Sequence, residues 1–256
     1  MTTMSAAPRM TAPTPPTPRR AALLAQGLTK SYGRTRALDG VDLAIHEGES
    51  VAVMGPSGSG KTTLLHCLSG IIAADAGSVR IELDQGPLRV ESLDAEGRAR
   101  LRRQQLGFVF QQGMLVPELT AVENVALPLL LNGVDRVEAE RHAARWLAAM
   151  GLGGLEARRI GQLSGGQAQR VAIARAQSTD PVIVFADEPT GALDSATASD
   201  VMSALLATTT GRRRTLVVVT HDPRVAARCS RTIHLVDGRI THDSSTTDSP
   251  TTEVTR

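Results

Sequence analysis

The chain has 256 residues, 41% of them hydrophobic and 21% charged. That balance excludes collagen-like, coiled-coil and wholly disordered classes and leaves room for one large domain or two modest ones. Twenty-eight basic residues against 26 acidic leave a formal charge of +2, and one Trp, one Tyr and three Phe offer few base-stacking platforms, so no nucleic-acid partner is expected.

Residues 1–21 are rich in Pro and Thr and have no apolar core of the kind a secretory signal needs, so they read as a disordered lead-in. Apolar alternation over 22–45 predicts short strands that pair with one another. Ser50–Met54 is a compact apolar run that feeds a Gly-rich loop, and 61–71 continues at helical spacing. Strand-like alternation returns over 77–93, a basic helix is predicted over 94–104, and Leu106–Phe110 is a short apolar strand. Two helices follow, over 122–131, interrupted by Pro128, and over 137–150, with Trp146 on its apolar side.

Next come a helix from 167 to about 178, a buried strand over 182–186, a helix over 196–208 and a second buried strand over 215–220. Such non-alternating apolar strands between helices indicate a parallel sheet covered on both faces. A short helix near 225–228, a strand over 233–236 and a turn at Asp237-Gly238 end the ordered pattern. The fold class is α/β: a P-loop core with a mostly parallel sheet, an antiparallel β subdomain and a helical insert. The domain spans 22–242, the insert about 112–165, and 243–256 form a disordered polar tail. No stretch of about 18 or more apolar residues occurs, so the chain is not expected to cross a bilayer unaided. Cys67 and Cys229 lack disulfide-framework or metal-site spacing and read as small buried hydrophobes.

Gly55, Pro56, Ser57, Gly58, Ser59, Gly60, Lys61 and Thr62 satisfy G-x-x-x-x-G-K-[ST] between a buried strand and a helix. Glycines let the backbone curl so that successive N–H groups face a phosphate, and the helix adds its positive dipole end. Lys61 is one of only two lysines, and its point charge suits the β- and γ-phosphates where an arginine fork would not. Thr62 offers a hydroxyl to Mg²⁺, and Thr63 completes the expected ATP-binding stretch. His66 and Cys67, on the same helix, read as packing or surface residues.

Asp187 and Glu188 follow the apolar run at 182–186, placing two carboxylates at the carboxyl end of a parallel strand, where open α/β sheets bind ligands. Neighbouring side chains diverge, so Asp187 can address Mg²⁺ while Glu188 faces the γ-phosphate and polarises water. The strand at 215–220 delivers His221 to the same edge as a γ-phosphate contact that orients the water and Glu188.

Leu163-Ser164-Gly165-Gly166-Gln167 opens a helix continuing AQRVAIARA, and with it residues 22–242 resemble the nucleotide-binding subunit of an ABC transporter. Ser164 and the backbone of Gly165 and Gly166 at a helix N-terminus make a second anion site. The resemblance implies two such subunits paired head to tail on ATP binding, each nucleotide lying between one phosphate loop and the other's Ser164 to Gln167. It further implies that Tyr32 stacks on adenine, that Gln111, which directly follows the strand and is preferred to Gln112 for that reason, contacts Mg²⁺ or water, and that Asp194 lies at the dimer interface. ATP and Mg²⁺ are the implied ligands, and a separate integral membrane permease, which would handle the substrate, is the implied partner. The subunit would sit on the cytoplasmic face of the membrane.

FVFQQGMLVPELTAVENVALPLLLNGV, IGQLSGGQAQRVAIARA and ADEPTGALDS look like the group containing macrolide exporters, lipoprotein-releasing ATPases, cell-division ATPases and bacitracin-type peptide-resistance ATPases. Ala168 stands where that group commonly has glutamine, Gln177 where leucine is usual, and 71–79 lack the usual Pro. The implied function is ATP hydrolysis that drives export or extraction of a peptide, lipid-linked or drug-like substrate. Two alternatives stay open at this point: a regulatory ATPase gating a membrane protein without cargo, and a non-transport ATPase of DNA repair or translation, the latter opposed by the short insert and single ATPase set.

Overall fold

A computed structural model describes residues 20–245; the leading 1–19 and closing 246–256, where most of the disordered-segment readings fall, lie outside the described residues. Strands β1 (Ala21–Tyr32) and β2 (Thr35–His46) form the antiparallel hairpin that the alternation predicts, with Leu23, Ala25 and Leu28 of β1 and Leu38, Val41, Leu43 and Ile45 of β2 entering the core across a register broken by bulges. β3 (Ser50–Met54) leads through the glycine loop into α1 (Lys61–Leu68). This helix is shorter than the predicted 61–71, because Ser69 caps it and Gly70 adopts φ +67° while Ile71 and Ile72 turn their N–H groups back onto the His66 carbonyl.

The alternation at 77–93 resolves into β4 (Ala76–Leu83) and β5 (Gly86–Arg89) followed by a 3₁₀ turn. Then come α2 (Ala95–Gln105), capped by Asp94, and β6 (Leu106–Phe110). The insert contributes α3 (Ala121–Leu131) and α4 (Arg136–Ala149). Pro128 does not interrupt α3 as its type suggests. It removes one N–H in the last turn, its own carbonyl still accepts from Asn132, and the helix is held by packing against α4 and by a Thr120/Glu123 capping box. Trp146 lies in the core beneath α4, its Nε1–H donating to His142 Nε2 at 3.0 Å and its ring covered by the Arg212 guanidinium.

α5 (Gly165–Gln177), β7 (Ile183–Asp187), α6 (Ser195–Thr208), β8 (Thr215–Val219), α7 (Pro223–Ala226), β9 (Arg231–Val236) and β10 (Arg239–Asp243) complete the chain. β10 corrects the sequence reading, which places 241–243 beyond the last predicted strand and starts the polar tail at 243. Its side chains are largely exposed, so it carries no hydrophobic signal. It is held instead by backbone pairing to β9 and by Asp243, which accepts from the buried Arg231 guanidinium at 2.5 and 2.8 Å.

The strands form two sheets. One is antiparallel, ordered β2-β1-β4-β5; the other is ordered β10-β9-β3-β8-β7-β6, parallel except for β10. Alternate residues of the central strands enter two cores: Phe185, Val217 and Val219 pack beneath the antiparallel sheet and α1, while Val184, Ala186 and Val218 pack against the helices of the opposite face. Sandwiching on both faces is what makes these strands uniformly apolar. Gln177, in place of a leucine, is buried here and donates to Thr209 Oγ1 at 2.8 Å, which satisfies the amide at the α5–α6 contact. Cys67 is buried and Cys229 half-buried, and burial pushes both thiols up to about 11.

Candidate active site

Register places the site. Val53 of β3 and Asp187 of β7 both pair with Val219 of β8, and Phe110 of β6 pairs with Asp187. The loop at 55–60, the Asp187-Glu188 pair, the Thr220-His221 pair and Gln111 therefore leave the sheet along one edge, the carboxyl ends of four adjacent strands.

At the glycine loop, backbone from elsewhere approaches so closely that side chains are excluded. A Cβ on Gly55 would lie 2.0 Å from the Leu235 carbonyl oxygen, and one on Gly60, which has φ +102°, would lie 2.2 Å from that of Ala37. Pro56 accepts the Ser59 N–H, closing the turn, while Ser57 and Gly58 form its exposed tip. Lys61 folds back over the loop, its Nζ donating to the Gly55 and Pro56 carbonyls at 2.8 and 2.9 Å. The exposed Thr62 donates to Asp187 Oδ1 at 3.4 Å; Thr63 is the next residue of α1 and is half-buried. Burial holds the Asp187 carboxyl above the usual carboxylate range, opposed by the Thr62 hydroxyl and by His66, which lies close enough to attract it.

Glu188 has φ +46°, a left-handed conformation that costs a non-glycine residue on the order of 1 kcal/mol or more. It turns the carboxylate away from Asp187 and onto the β8 loop. Oε1 accepts the His221 backbone N–H at 3.0 Å and lies 2.7 Å from His221 Nδ1, and Oε2 accepts from Thr220 Oγ1 at 3.2 Å. With Nδ1 committed to Glu188, Nε2 is the imidazole nitrogen left to face a ligand. Gln111 is exposed directly after β6 and lies over Gly191, whose Cβ would come within 3.0 Å of its Nε2.

These residues form one constellation; others stand apart. Ser164 caps α5 in a reciprocal pair with Gln167: Ser164 N–H donates to Gln167 Oε1 at 2.9 Å and Gln167 N–H to Ser164 Oγ at 3.3 Å. Gly165 is exposed, and Gly166 abuts α6, where a Cβ would lie 2.3 Å from Thr197 Cγ2. Among the described residues no hydrogen bond or ion pair joins 164–167 to the glycine loop of the same chain. Asp194 caps α6, accepting from Ala196 and Thr197 N–H at 3.1 Å. Tyr32 stands at the end of β1, 53% exposed, with Lys30 Nζ 5.8 Å from its ring centre.

Sequence reasoning missed Gln169. It is buried in α5 and its Nε2 donates to the Phe110 carbonyl at 3.0 Å and the Pro189 carbonyl at 2.7 Å, tying the residue before Gln111 to the residue after Glu188. An amide on the buried stripe of Gly166, Ile173 and Ala176 was the available signal.

A glycine loop ahead of a helix, a lysine on that loop and paired carboxylates at the end of β7, one strand beyond β8 on the same sheet edge, define a nucleoside-triphosphate hydrolase of the P-loop class. The ABC transporter family model matches residues 38–191. The chain is 46% identical to the lipoprotein-releasing system ATP-binding protein LolD of Legionella pneumophila (strain Paris), covering 85% of this chain and 96% of that protein. It is 44% identical to the ABC transporter ATP-binding protein YbbA of Escherichia coli (strain K12), covering 85% and 95%. Among solved structures, a bacterial ABC transporter cassette in dimeric form superposes with a TM-score of 0.78 at 40% identity, covering 86% and 97%; a post-hydrolysis dimer bound to ADP and Pi superposes at 0.77 and the same identity and coverage. The chain belongs to the ABC transporter family, and it is an ATP-binding, ATP-hydrolysing subunit that energises a separate membrane permease. No described helix is long and apolar enough to cross a membrane.

Proposed function

We propose that this subunit hydrolyses Mg²⁺-ATP at the seam between two copies of itself, at the cytoplasmic face of the membrane, and so drives extraction of a lipid-linked substrate of the lipoprotein class. The observation that carries the reading is the separation within one chain: the loop at 55–60 faces one surface patch with Lys61, Asp187, Glu188 and His221, while the exposed N-terminus of α5 at Ser164 and Gly165 has no contact with it. A second copy supplies the missing donors. Its Ser164 hydroxyl and the N–H groups of its Gly165 to Gln167 close on the γ-phosphate, with the α5 dipole adding to the attraction, and Asp194 lines the same seam.

The residues fit Mg²⁺. Among the described residues no group of three or more His, Cys, Asp or Glu could cage a metal, and this ion is commonly held by one or two protein oxygens plus phosphate. The Thr62 hydroxyl meets the Asp187 carboxyl, which burial disfavours; these two would hold the ion, with Gln111 from the neighbouring loop. Bound there, it neutralises charge developing on the phosphates.

Lys61 leaves the loop carbonyls for the β- and γ-phosphates, Tyr32 stacks on the adenine, and 55–63 enclose the triphosphate with backbone N–H groups. Glu188, held by Thr220 and by both His221 nitrogens that face it, accepts a proton from the attacking water, and His221 Nε2 faces the γ-phosphate. Loss of phosphate removes the contacts that bind one copy to Ser164 of the other, and the seam opens. Arg175 donates to the carbonyls of Gly113 and Met114 at 2.7 and 2.6 Å, so the segment after Gln111 moves with α5; beside it a groove of about 330 Å³ lined by Phe108, Pro128 and Leu131 offers the permease a seat.

The substrate class rests on the likeness to lipoprotein-releasing ATPases. Glu188→Gln tests the mechanism: ATP binding is retained, turnover falls by about 100-fold or more, and ATP-bound dimer accumulates on gel filtration. Normal steady-state hydrolysis rejects Glu188 as the base. Co-purification tests the wider role, because a permease that releases lipoprotein supports extraction, whereas a hydrolase-activating membrane protein would make the subunit a regulator.

A further inference from the structure

The hairpin that carries Tyr32 and the loop at 55–60 belong to different sheets, yet two polar braces join them. On one side Asp39 of β2 accepts from Arg239 of β10, Nε at 2.8 Å and Nη2 at 2.5 Å, and from Arg36 Nη1 at 2.7 Å. The adjoining turn continues this contact into the loop: Asp39 N–H donates to the Gly238 carbonyl and Gly238 N–H donates to the Ser59 carbonyl, both at 3.0 Å. On the other side Asp75, seven residues beyond the end of α1, accepts from Lys30 Nζ and Ser31 N–H, both at 2.7 Å, and its own N–H donates to the Thr29 carbonyl at 2.8 Å. The hairpin is thus tied through β2 to the glycine loop and through β1, the strand that ends in Tyr32, to the segment that follows the helix of that loop.

We infer that Asp39 with Arg239, and Asp75 with Lys30, are positioning residues for the adenine base: they fix the placement of the Tyr32 hairpin relative to the phosphate loop. Gly238 is part of the device. Its φ is +73°, and a Cβ there would lie 2.8 Å from the Ala37 carbonyl oxygen, so any side chain drives the turn away from both β2 and Ser59. Neither brace touches the phosphates, and the contacts to the loop at Ser59 are backbone only. Releasing Arg239 or Asp75 therefore loosens the base-bearing hairpin and leaves the phosphate cradle intact. Ligand binding then pays the ordering cost that the braces had removed.

This inference rests on the assignment of Tyr32 to adenine and of 55–63 to phosphate, and the test separates the two. The full chain is titrated calorimetrically with Mg-ATP and with Mg-tripolyphosphate, which lacks the base. Arg239→Gln and Asp75→Asn each weaken ATP about two- to fivefold, the range of one exposed ion pair, and leave tripolyphosphate unchanged; Arg239→Lys recovers most of the loss. Gly238→Ala weakens both ligands, because it also displaces Ser59. Equal losses for the two ligands in Arg239→Gln and Asp75→Asn, or no loss for either, overturn the inference. Tyr32→Ala is the control: if it leaves the ATP-to-tripolyphosphate ratio unchanged, the base assignment itself fails, whereas a lowered ratio there with unchanged ratios in the brace variants removes the braces alone.

Discussion

Gln169→Leu removes the amide that joins the glutamine segment to the turn after Glu188 and keeps the volume of the buried site. The two acceptors respond differently. The Phe110 carbonyl retains the Gly113 N–H at 2.9 Å, so it keeps a partner, and the loss is a net cost of about 0.5–1.5 kcal/mol. For the Pro189 carbonyl Gln169 is the one donor found among the described residues, at 2.7 Å in a buried setting, and stranding it costs about 1–3 kcal/mol. The sum, about 1.5–4.5 kcal/mol, is read from the urea midpoint at constant slope. Gln169→Glu is worse, since a carboxylate would face two carbonyl oxygens. Because Phe110 adjoins Gln111 and Pro189 adjoins Glu188, slippage between the two segments lowers kcat by about tenfold or more with little change in KM for ATP. A Gln169→Leu protein within about 0.5 kcal/mol of wild type, turning over ATP at the normal rate, refutes this account of the bridge.

Three further outcomes are expected. Asp187→Asn raises the melting temperature of the nucleotide-free protein at neutral pH and abolishes its stabilisation by Mg-ATP: a carboxyl whose folded pKa lies above the unfolded value costs stability once the pH exceeds the unfolded value, and the amide carries no such cost. A lower melting temperature in calorimetry would contradict the burial argument. Asp243→Asn destabilises at pH 7 by about 1–3 kcal/mol through the lost Arg231 bonds. The Arg231 guanidinium holds the Asp243 pKa at about 2, so its contribution is complete above the usual aspartate value near 4 and fades between there and about 2; denaturation from pH 7 to 3 should show a constant gap that narrows only below about 4. Ser164→Arg costs about 1 kcal/mol as a lost cap, leaves ATP binding intact and prevents ATP-driven dimerisation; undiminished dimer by light scattering counts against the two-copy seam.

What could be read in advance and what could not divide by range of interaction. The glycine loop was legible because strand, loop and helix are contiguous, and each residue type in 55–62 has a local reason. Asp187 and Glu188 were legible because an apolar run ending in acids gives their position on a strand. Gln169 was not: its acceptors lie 59 and 20 residues away, and periodicity marks it only as an amide in an apolar stripe. Arg239 and Asp39 are separated by 200 positions. β10 escaped because an edge strand with exposed side chains leaves no alternation to read, its hold being backbone pairing and the ion pairs of Asp243 and Arg239. Pro128 misled for the opposite reason, a strong local rule outweighed by α3's contacts with α4 and α5.

Several unfavourable features of the molecule meet at the edge that carries the site. Glu188 occupies a left-handed conformation, Asp187 carries a carboxyl that burial disfavours, and Gly55 and Gly60 are pressed against foreign carbonyls. Of the two buried side-chain polar atoms without a partner among the described residues, one is Ser59 Oγ in the glycine loop. All five residues lie along one sheet edge, while the two apolar cores beneath it are filled by aliphatic side chains and buried amides such as Gln177 have partners. Strain that persists only because the surrounding framework enforces it is what a site preorganised for a charged ligand requires. The same framework explains why the edge keeps its shape: parallel strands buried on both faces resist the local relaxation that would let Glu188 or Asp187 escape, so occupancy by a triphosphate relieves the cost at the edge and stabilises the fold by mass action.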